Sequence, residues 1–144
     1  MKTLGLLLLS ATLVSALEPA GADSHEQATA RSRVLELAGA FANDGYKIRD
    51  GYWSGTLEPG KPQILEVNLF AGNAYWFSVA SLAPARKLSV TLFNENGRPL
   101  EGEVFQDGST AAAGLVPDAS GRYFVRLELV EGHKADFCLV YSYK

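Results

Sequence analysis

The side chains best suited to binding are three aromatic residues just before and at the start of the first predicted strand. Tyr46, Tyr52 and Trp53 lie close together in the chain, with charged residues between them. Exposed aromatic rings can stack on sugar rings or anchor a protein partner. The same residues could instead fill the junction between a helix and a sheet, so both interpretations remain open at this point.

The other reactive side chains form no recognisable catalytic motif. The serines in the predicted strands occur without a nucleophile elbow. Cys138 lies in an apolar strand, which predicts a buried and unreactive thiol. Glycoside hydrolysis needs two carboxylates whose separation a sequence does not give. Carboxylates such as Glu66 or Glu103 therefore stay open as candidates for this role.

Composition offers little support for a metal or for nucleic acid. His25 and His133 are the only histidines, and they fall at a predicted helix start and in a predicted turn. A zinc site needs clustered ligands, so we expect no metal and no other cofactor, although calcium binding by acidic turn residues such as Asp107, Asp118 and Asp136 is left open. The formal net charge is −3, and the sequence has no basic patch that could follow a phosphate backbone. Nucleic acid is therefore a poor candidate partner.

The N-terminus has the layout of a secretory signal peptide. Lys2 precedes an apolar run over residues 4–9, and small residues follow it up to Ala16. This pattern predicts a signal peptide over residues 1–16, with cleavage as late as residue 22, and a secreted or periplasmic protein. The apolar run is shorter than the roughly 20 residues of a spanning helix. We expect no membrane span after cleavage.

A linker over residues 17–23 and a helix over residues 24–44 are predicted next. Ser24 can cap the helix, and Gln27 three positions later completes a capping box. Gly45 suits the left-handed conformation that ends many helices. One face of this helix is apolar and comprises Val34, Leu37, Ala38 and Phe41.

Residues 45–144 predict a β-sandwich domain. Short runs of alternating apolar residues are separated by turn residues such as Asn96-Gly97, and no helix lies between them. This pattern favours an antiparallel, jelly-roll-like β-sandwich of about eight strands with one N-terminal α-helix, in a mainly β protein. The predicted strands are 52–57, 64–70, 74–80, 87–94, 98–105, 110–116, 121–130 and 135–143.

Some of these strands are apolar on both faces, which requires a second covering layer. The last strand alternates aromatic or aliphatic residues with Cys138 and Val140, and Trp76 and Phe124 likewise interrupt a simple alternation. We therefore expect the helix to cover one or more of these four residues. The helix side chains expected to make the contact are Val34, Leu37 and Phe41.

Strand and turn patterns of one kind occur over residues 55–57, 64–77, 88–100, 121–125 and 137–140. Through these segments, the chain from Gly55 onward resembles the bacterial pre-peptidase C-terminal domain. The likeness covers about 90 of the 144 residues and consists of strand and turn patterns. The resemblance implies a jelly-roll-like sandwich of the kind appended to exported enzymes.

Three functions remain open from the sequence. The first is an exported, non-catalytic module that binds a protein or a polysaccharide of the cell envelope near Tyr52 and Trp53. The second is a small secreted hydrolase acting on glycans. The third is a structural subunit that assembles through an exposed sheet edge. The oligomeric state is left open.

Overall fold

A computed structural model describes residues 24–144, which form one helix and nine strands. The predicted signal peptide (1–16) and linker (17–23) lie outside the described residues. The elements are α1 His25–Ala42, β1 Lys47–Ile48, β2 Trp53–Leu57, β3 Gln63–Leu69, β4 Tyr75–Ser81, β5 Ala85–Phe93, β6 Val104–Asp107, β7 Thr110–Leu115, β8 Gly121–Gly132 and β9 Ala135–Tyr143.

The strands form two antiparallel sheets. The first has the order β6-β7-β4-β9, and both β1 and β2 pair with the remaining edge of β9. The second has the order β3-β8-β5. The predicted mainly β architecture with one helix is confirmed, with nine strands in place of about eight. The additional strand is β1, which is only two residues long.

The main core lies between the two sheets. Alternate residues of the facing strands point inward because the side-chain period of a strand is two. Phe77 of β4 and Leu139 of β9 come from the first sheet and are fully buried, as are Leu127 and Val125 of β8 from the second. A shift of one residue in strand pairing would turn these apolar side chains away from the core. The alternating apolar pattern therefore sets the register in which the strands pair.

A second, smaller core lies between the helix and the outer face of the first sheet. Val34 is buried there with Ala30 and Ala38 against Ala80, Cys138 and Val140. Small residues on both sides let the helix approach the sheet closely. This layer is why β4 and most of β9 are buried on both faces.

Aromatic stacking extends this interface to the end of the helix. The rings of Phe41 and Trp76 lie parallel, with 4.3 Å between their centroids. The predicted helix contacts with Trp76, Cys138 and Val140 are confirmed. Phe124, the remaining alternative, does not lie under the helix, because it belongs to β8 in the other sheet.

The helix N-terminus is held by the predicted capping box. The Ser24 hydroxyl accepts a hydrogen bond from the Gln27 amide at 3.0 Å, and the Gln27 side chain accepts one from the Ser24 amide. The same hydroxyl donates to Asp136 at 2.8 Å, and Thr56 donates to the other oxygen of that carboxylate. One carboxylate on β9 therefore ties the helix start to strand β2.

The prediction of a strand over 98–105 is wrong for most of its length. The Asn96-Gly97 turn forms as expected, but Pro99 makes only a single bridge to Phe93 before the chain crosses to the first sheet. Proline has no N–H to extend a ladder. Gly102 then passes so close to the carbonyl oxygen of Gly114 that a side chain would overlap it. Strand β6 begins only at Val104.

The layer beneath the helix contains a hydroxyl whose removal is expected to be harmless or stabilising. Ser78 is fully buried, and its Oγ has no hydrogen-bond partner within the described chain. Because an unpaired buried hydroxyl is costly, Ser78→Ala should leave the free energy of unfolding unchanged or raise it by about 1 kcal/mol. Urea denaturation measures the difference. A loss above about 1 kcal/mol would show that the hydroxyl is paired after all.

Candidate functional site

An open cleft lies where the two sheets diverge, between the ends of β1 and β9 and the edge strand β3. It has a volume of about 230 Å³. Most of its lining is aromatic or amide-bearing, and it contains no carboxylate. The lining residues are Arg49, Asn68, Phe70, Asn73, Tyr75, Tyr141 and Tyr143.

Strand β1 brings Arg49 to this cleft. It pairs with the end of β9, with Lys47 opposite Tyr143. Directly after it, the Arg49 amide donates a hydrogen bond to the Tyr141 carbonyl at 2.9 Å. The guanidinium of Arg49 lies over the Tyr141 ring, 5.1 Å from its centroid. A cation stacked on an aromatic ring in this way is held in position.

Two buried tyrosines shape the floor and the turn beside it. The Tyr75 hydroxyl accepts hydrogen bonds from the Phe70 amide at 2.9 Å and from the Asn73 side chain at 3.2 Å. These bonds fix the turn between β3 and β4, where Gly72 has a φ of +91°. The ring of Tyr141 packs against that of Tyr75, with centroids 6.2 Å apart.

Two rings on the rim are exposed to solvent. Phe70 is 62% exposed and Tyr143 is 39% exposed. Phe70 follows directly on β3, while Tyr143 ends β9, so each is anchored to a strand. Rigid strands and fixed turns position ligand-contacting side chains better than free loops do.

The cleft is electrostatically simple. Arg49 is the only charged residue in its lining, and it forms no ion pair with residues 24–144. Burial raises the pKa of Tyr141 above its ordinary value, although the Arg49 cation opposes part of this shift. The phenol therefore stays neutral around pH 7 and can donate a hydrogen bond.

The three aromatic residues predicted as a binding cluster do not meet. Tyr46 is half-buried, with its ring edge-on to Phe41 and the Lys144 ammonium 4.5 Å from its centroid. Tyr52 is exposed, and the guanidinium of Arg31 on the helix lies 4.8 Å from its ring centroid. Both belong to the helix side of the first sheet.

Trp53 points the other way, into the sandwich. Its ring stacks on Tyr141, with centroids 5.8 Å apart, and it packs against the main core. It therefore supports the cleft floor from behind. Adjacent residues of an extended chain face opposite sides, which is why Tyr52 and Trp53 do not share a surface.

Sequence reasoning did not single out the cleft residues. Tyr141 and Tyr143 are two positions apart at the end of β9, so their side chains point to the same face of the strand. This spacing was the one signal in the sequence that the two rings lie together. Arg49 was noted only as a charge between the aromatic residues. The approach of Arg49 to Asn68 depends on how the sheet edges meet, which no local pattern reveals.

The carboxylates considered for hydrolysis are separate. Glu66 lies on the outer face of the second sheet, where its carboxylate is 3.6 Å from the Arg122 guanidinium. Glu103 precedes β6, at the far edge of the first sheet. A glycosidase needs both groups on one substrate, and these two lie on different sheets.

A larger hollow of about 570 Å³ lies among the connections at one end of the sandwich. Its lining includes the carboxylates of Glu95, Glu101 and Asp118, and its single aromatic side chain, Tyr123, is buried. Within residues 24–144 no three potential ligands group as a metal site would require. No helix in this part of the chain is long and apolar enough to cross a membrane.

The fold and the cleft together define a two-sheet antiparallel sandwich with a helix on one outer face and an aromatic cleft at one edge. No known family model matches the chain, and no curated protein is significantly similar to it. The resemblance to the pre-peptidase C-terminal domain stays a prediction.

Proposed function

We propose that the protein is an exported, non-catalytic module that binds a saccharide of the cell envelope in the cleft between β3 and β9. The observation that carries this proposal is the pair of exposed rings, Phe70 and Tyr143, on the rim of a cleft without carboxylates.

The lining matches the two sides of a sugar. A pyranose ring has an apolar face of C–H groups, which packs on aromatic rings, and a periphery of hydroxyls, which need donors and acceptors. Phe70 and Tyr143 offer the first, while Asn68, Asn73 and Tyr141 offer the second. The cleft is smaller than the roughly 300–1,000 Å³ of sites that enclose a whole ligand. It therefore suits one ring of a longer chain.

The other functions have less support. A stable protein–protein interface covers about 800 Å² on each partner, whereas this cleft accommodates a single ring-sized group. Assembly through the β6 edge would bring like charges together. Residues 99–107, which comprise β6 and the segment leading into it, hold three acidic and no basic residues, and such an edge disfavours a second copy.

Loss of a rim ring is expected to weaken saccharide binding about tenfold. Phe70→Ala removes a stacking surface, and a tenfold change corresponds to about 1.4 kcal/mol. Affinity electrophoresis in gels containing individual envelope polysaccharides measures the change. The control is Phe105→Ala, which removes another exposed phenylalanine ring, on β6 and away from the cleft. Equal retention of the two variants, or no retarded migration of the wild type in any polysaccharide, would overturn the proposal.

Export is part of the proposal and rests on the sequence of residues 1–22. N-terminal sequencing of the protein isolated from its own cells tests it. A mature chain starting between Leu17 and Asp23 is expected, and a retained Met1 would contradict export.

A further inference from the structure

We propose that the saccharide bound in the cleft is acidic and that Arg49 binds its carboxylate. The ligand class is then a polysaccharide containing uronic acids. This inference rests on the proposed function and assigns the chemistry of the same site.

The first support is the position of the Arg49 side chain. Its guanidinium stacks on Tyr141 at 5.1 Å, and its backbone is fixed to that residue by a hydrogen bond. Stacking occupies the face of the guanidinium and leaves the N–H groups on its edge available. Those groups match the two oxygens of a carboxylate, which accept paired hydrogen bonds from them.

The second support is the charge of the cleft. One of its seven lining residues is charged, and that residue is a cation. Asp50 follows Arg49 in the chain, but its carboxylate forms no ion pair with that guanidinium in the described structure. A carboxylate bound here would form an ion pair with Arg49 that residues 24–144 do not supply.

The third support is the set of neutral groups around Arg49. Asn68 lies on the edge strand β3 and Asn73 lies in the adjoining turn, and both carry amide donors and acceptors for sugar hydroxyls. The Tyr141 phenol beneath the guanidinium is protonated at neutral pH and carries no charge that would repel an anion.

Calorimetric titration with matched saccharides tests the assignment. The probes are oligomers of galacturonic, glucuronic and mannuronic acid, each paired with its neutral methyl ester. We expect at least one acid to bind about tenfold or more tightly than its ester. Arg49→Gln should weaken that binding by about 10- to 100-fold, as expected for a lost charge-assisted hydrogen-bond pair, and should leave ester binding nearly unchanged.

Two further variants separate geometry from charge. Arg49→Lys keeps the charge without the paired donors, so it should fall between wild type and Arg49→Gln. Lys47→Gln removes a neighbouring cation on β1 that does not line the cleft, and it should change affinity by less than about threefold. Raising the salt concentration should weaken binding of the acid and not of its ester.

The outcomes distinguish the two proposals. Equal binding of acid and ester in all three pairs would overturn the role of Arg49 and leave the saccharide cleft standing. An acid preference that persists in Arg49→Gln would also overturn it. Failure of every saccharide, acidic or neutral, would overturn both.

Discussion

Replacement of Phe77 by alanine is expected to lower the free energy of unfolding by about 3–5 kcal/mol. Phe77 is fully buried at the centre of the main core. Its ring lies 5.1 Å from that of Tyr141 and 6.4 Å from that of Tyr75, measured between centroids. Alanine would leave a cavity beneath both cleft tyrosines. Urea denaturation followed by tryptophan fluorescence measures the loss.

A matched variant tests whether volume is the cause. Phe77→Leu keeps much of the apolar volume and should cost less than Phe77→Ala. If Phe77→Ala costs under about 1 kcal/mol, the two sheets do not pack around this ring as described. The cleft would then lack the support attributed to it.

A charge at position 34 is expected to separate the helix from the sandwich or to unfold the protein. Val34 is fully buried between the helix and Ala80, Cys138 and Val140. An aspartate there would have no partner, and burying an unpaired carboxylate costs several kcal/mol. We expect Val34→Asp to lower the free energy of unfolding by at least about 3 kcal/mol. Urea denaturation measures the loss of stability, and far-UV circular dichroism measures the loss of helix or of the whole fold.

The neighbouring residue supplies the control. Leu35 is 41% exposed on the same helix turn. Leu35→Asp should change stability by no more than about 0.5 kcal/mol. If the two variants behave alike and both keep full helix content, the helix does not pack on the first sheet.

Local patterns predicted the elements that local physics determines. The capping box of Ser24 and Gln27 and the left-handed Gly45 both formed as expected. Each depends on residues within one turn of the chain. The double-sided apolar character of β9 also predicted a covering layer, since buried faces need partners.

Long-range placement was not predictable in the same way. Phe124 and Trp76 both interrupt the alternation of their strands, yet only Trp76 lies under the helix. Which sheet receives each strand follows from the whole topology. Phe124 instead lies beside Ile64 and Phe93 on the uncovered outer face of the second sheet.

The candidate site shows the same limit. The separation of Tyr52 from Trp53 could have been predicted, because adjacent residues of an extended chain face opposite sides. The cleft itself could not have been found. It requires the short strand β1 to pair with the end of β9 and the edge of β3 to come beside it. Only Trp53 among the predicted residues contributes, and it does so from behind Tyr141.

The architecture leaves the cleft accessible. The helix covers one outer face, and the sheets cover each other. The edge between β3 and β9 stays open, and polar and aromatic side chains meet there. A binding site at this edge would leave both cores undisturbed. Variants of the rim residues are therefore expected to affect binding more than stability.

The most direct test of a saccharide cleft is the location of a bound oligosaccharide by NMR. Signals of the labelled protein are followed during titration with the tightest-binding uronate oligomer. We expect the largest shifts at Phe70, Tyr143 and the Arg49 side chain, with little change around Phe105 on β6. Shifts centred on another surface, or no shifts at saturating oligomer, would contradict the account.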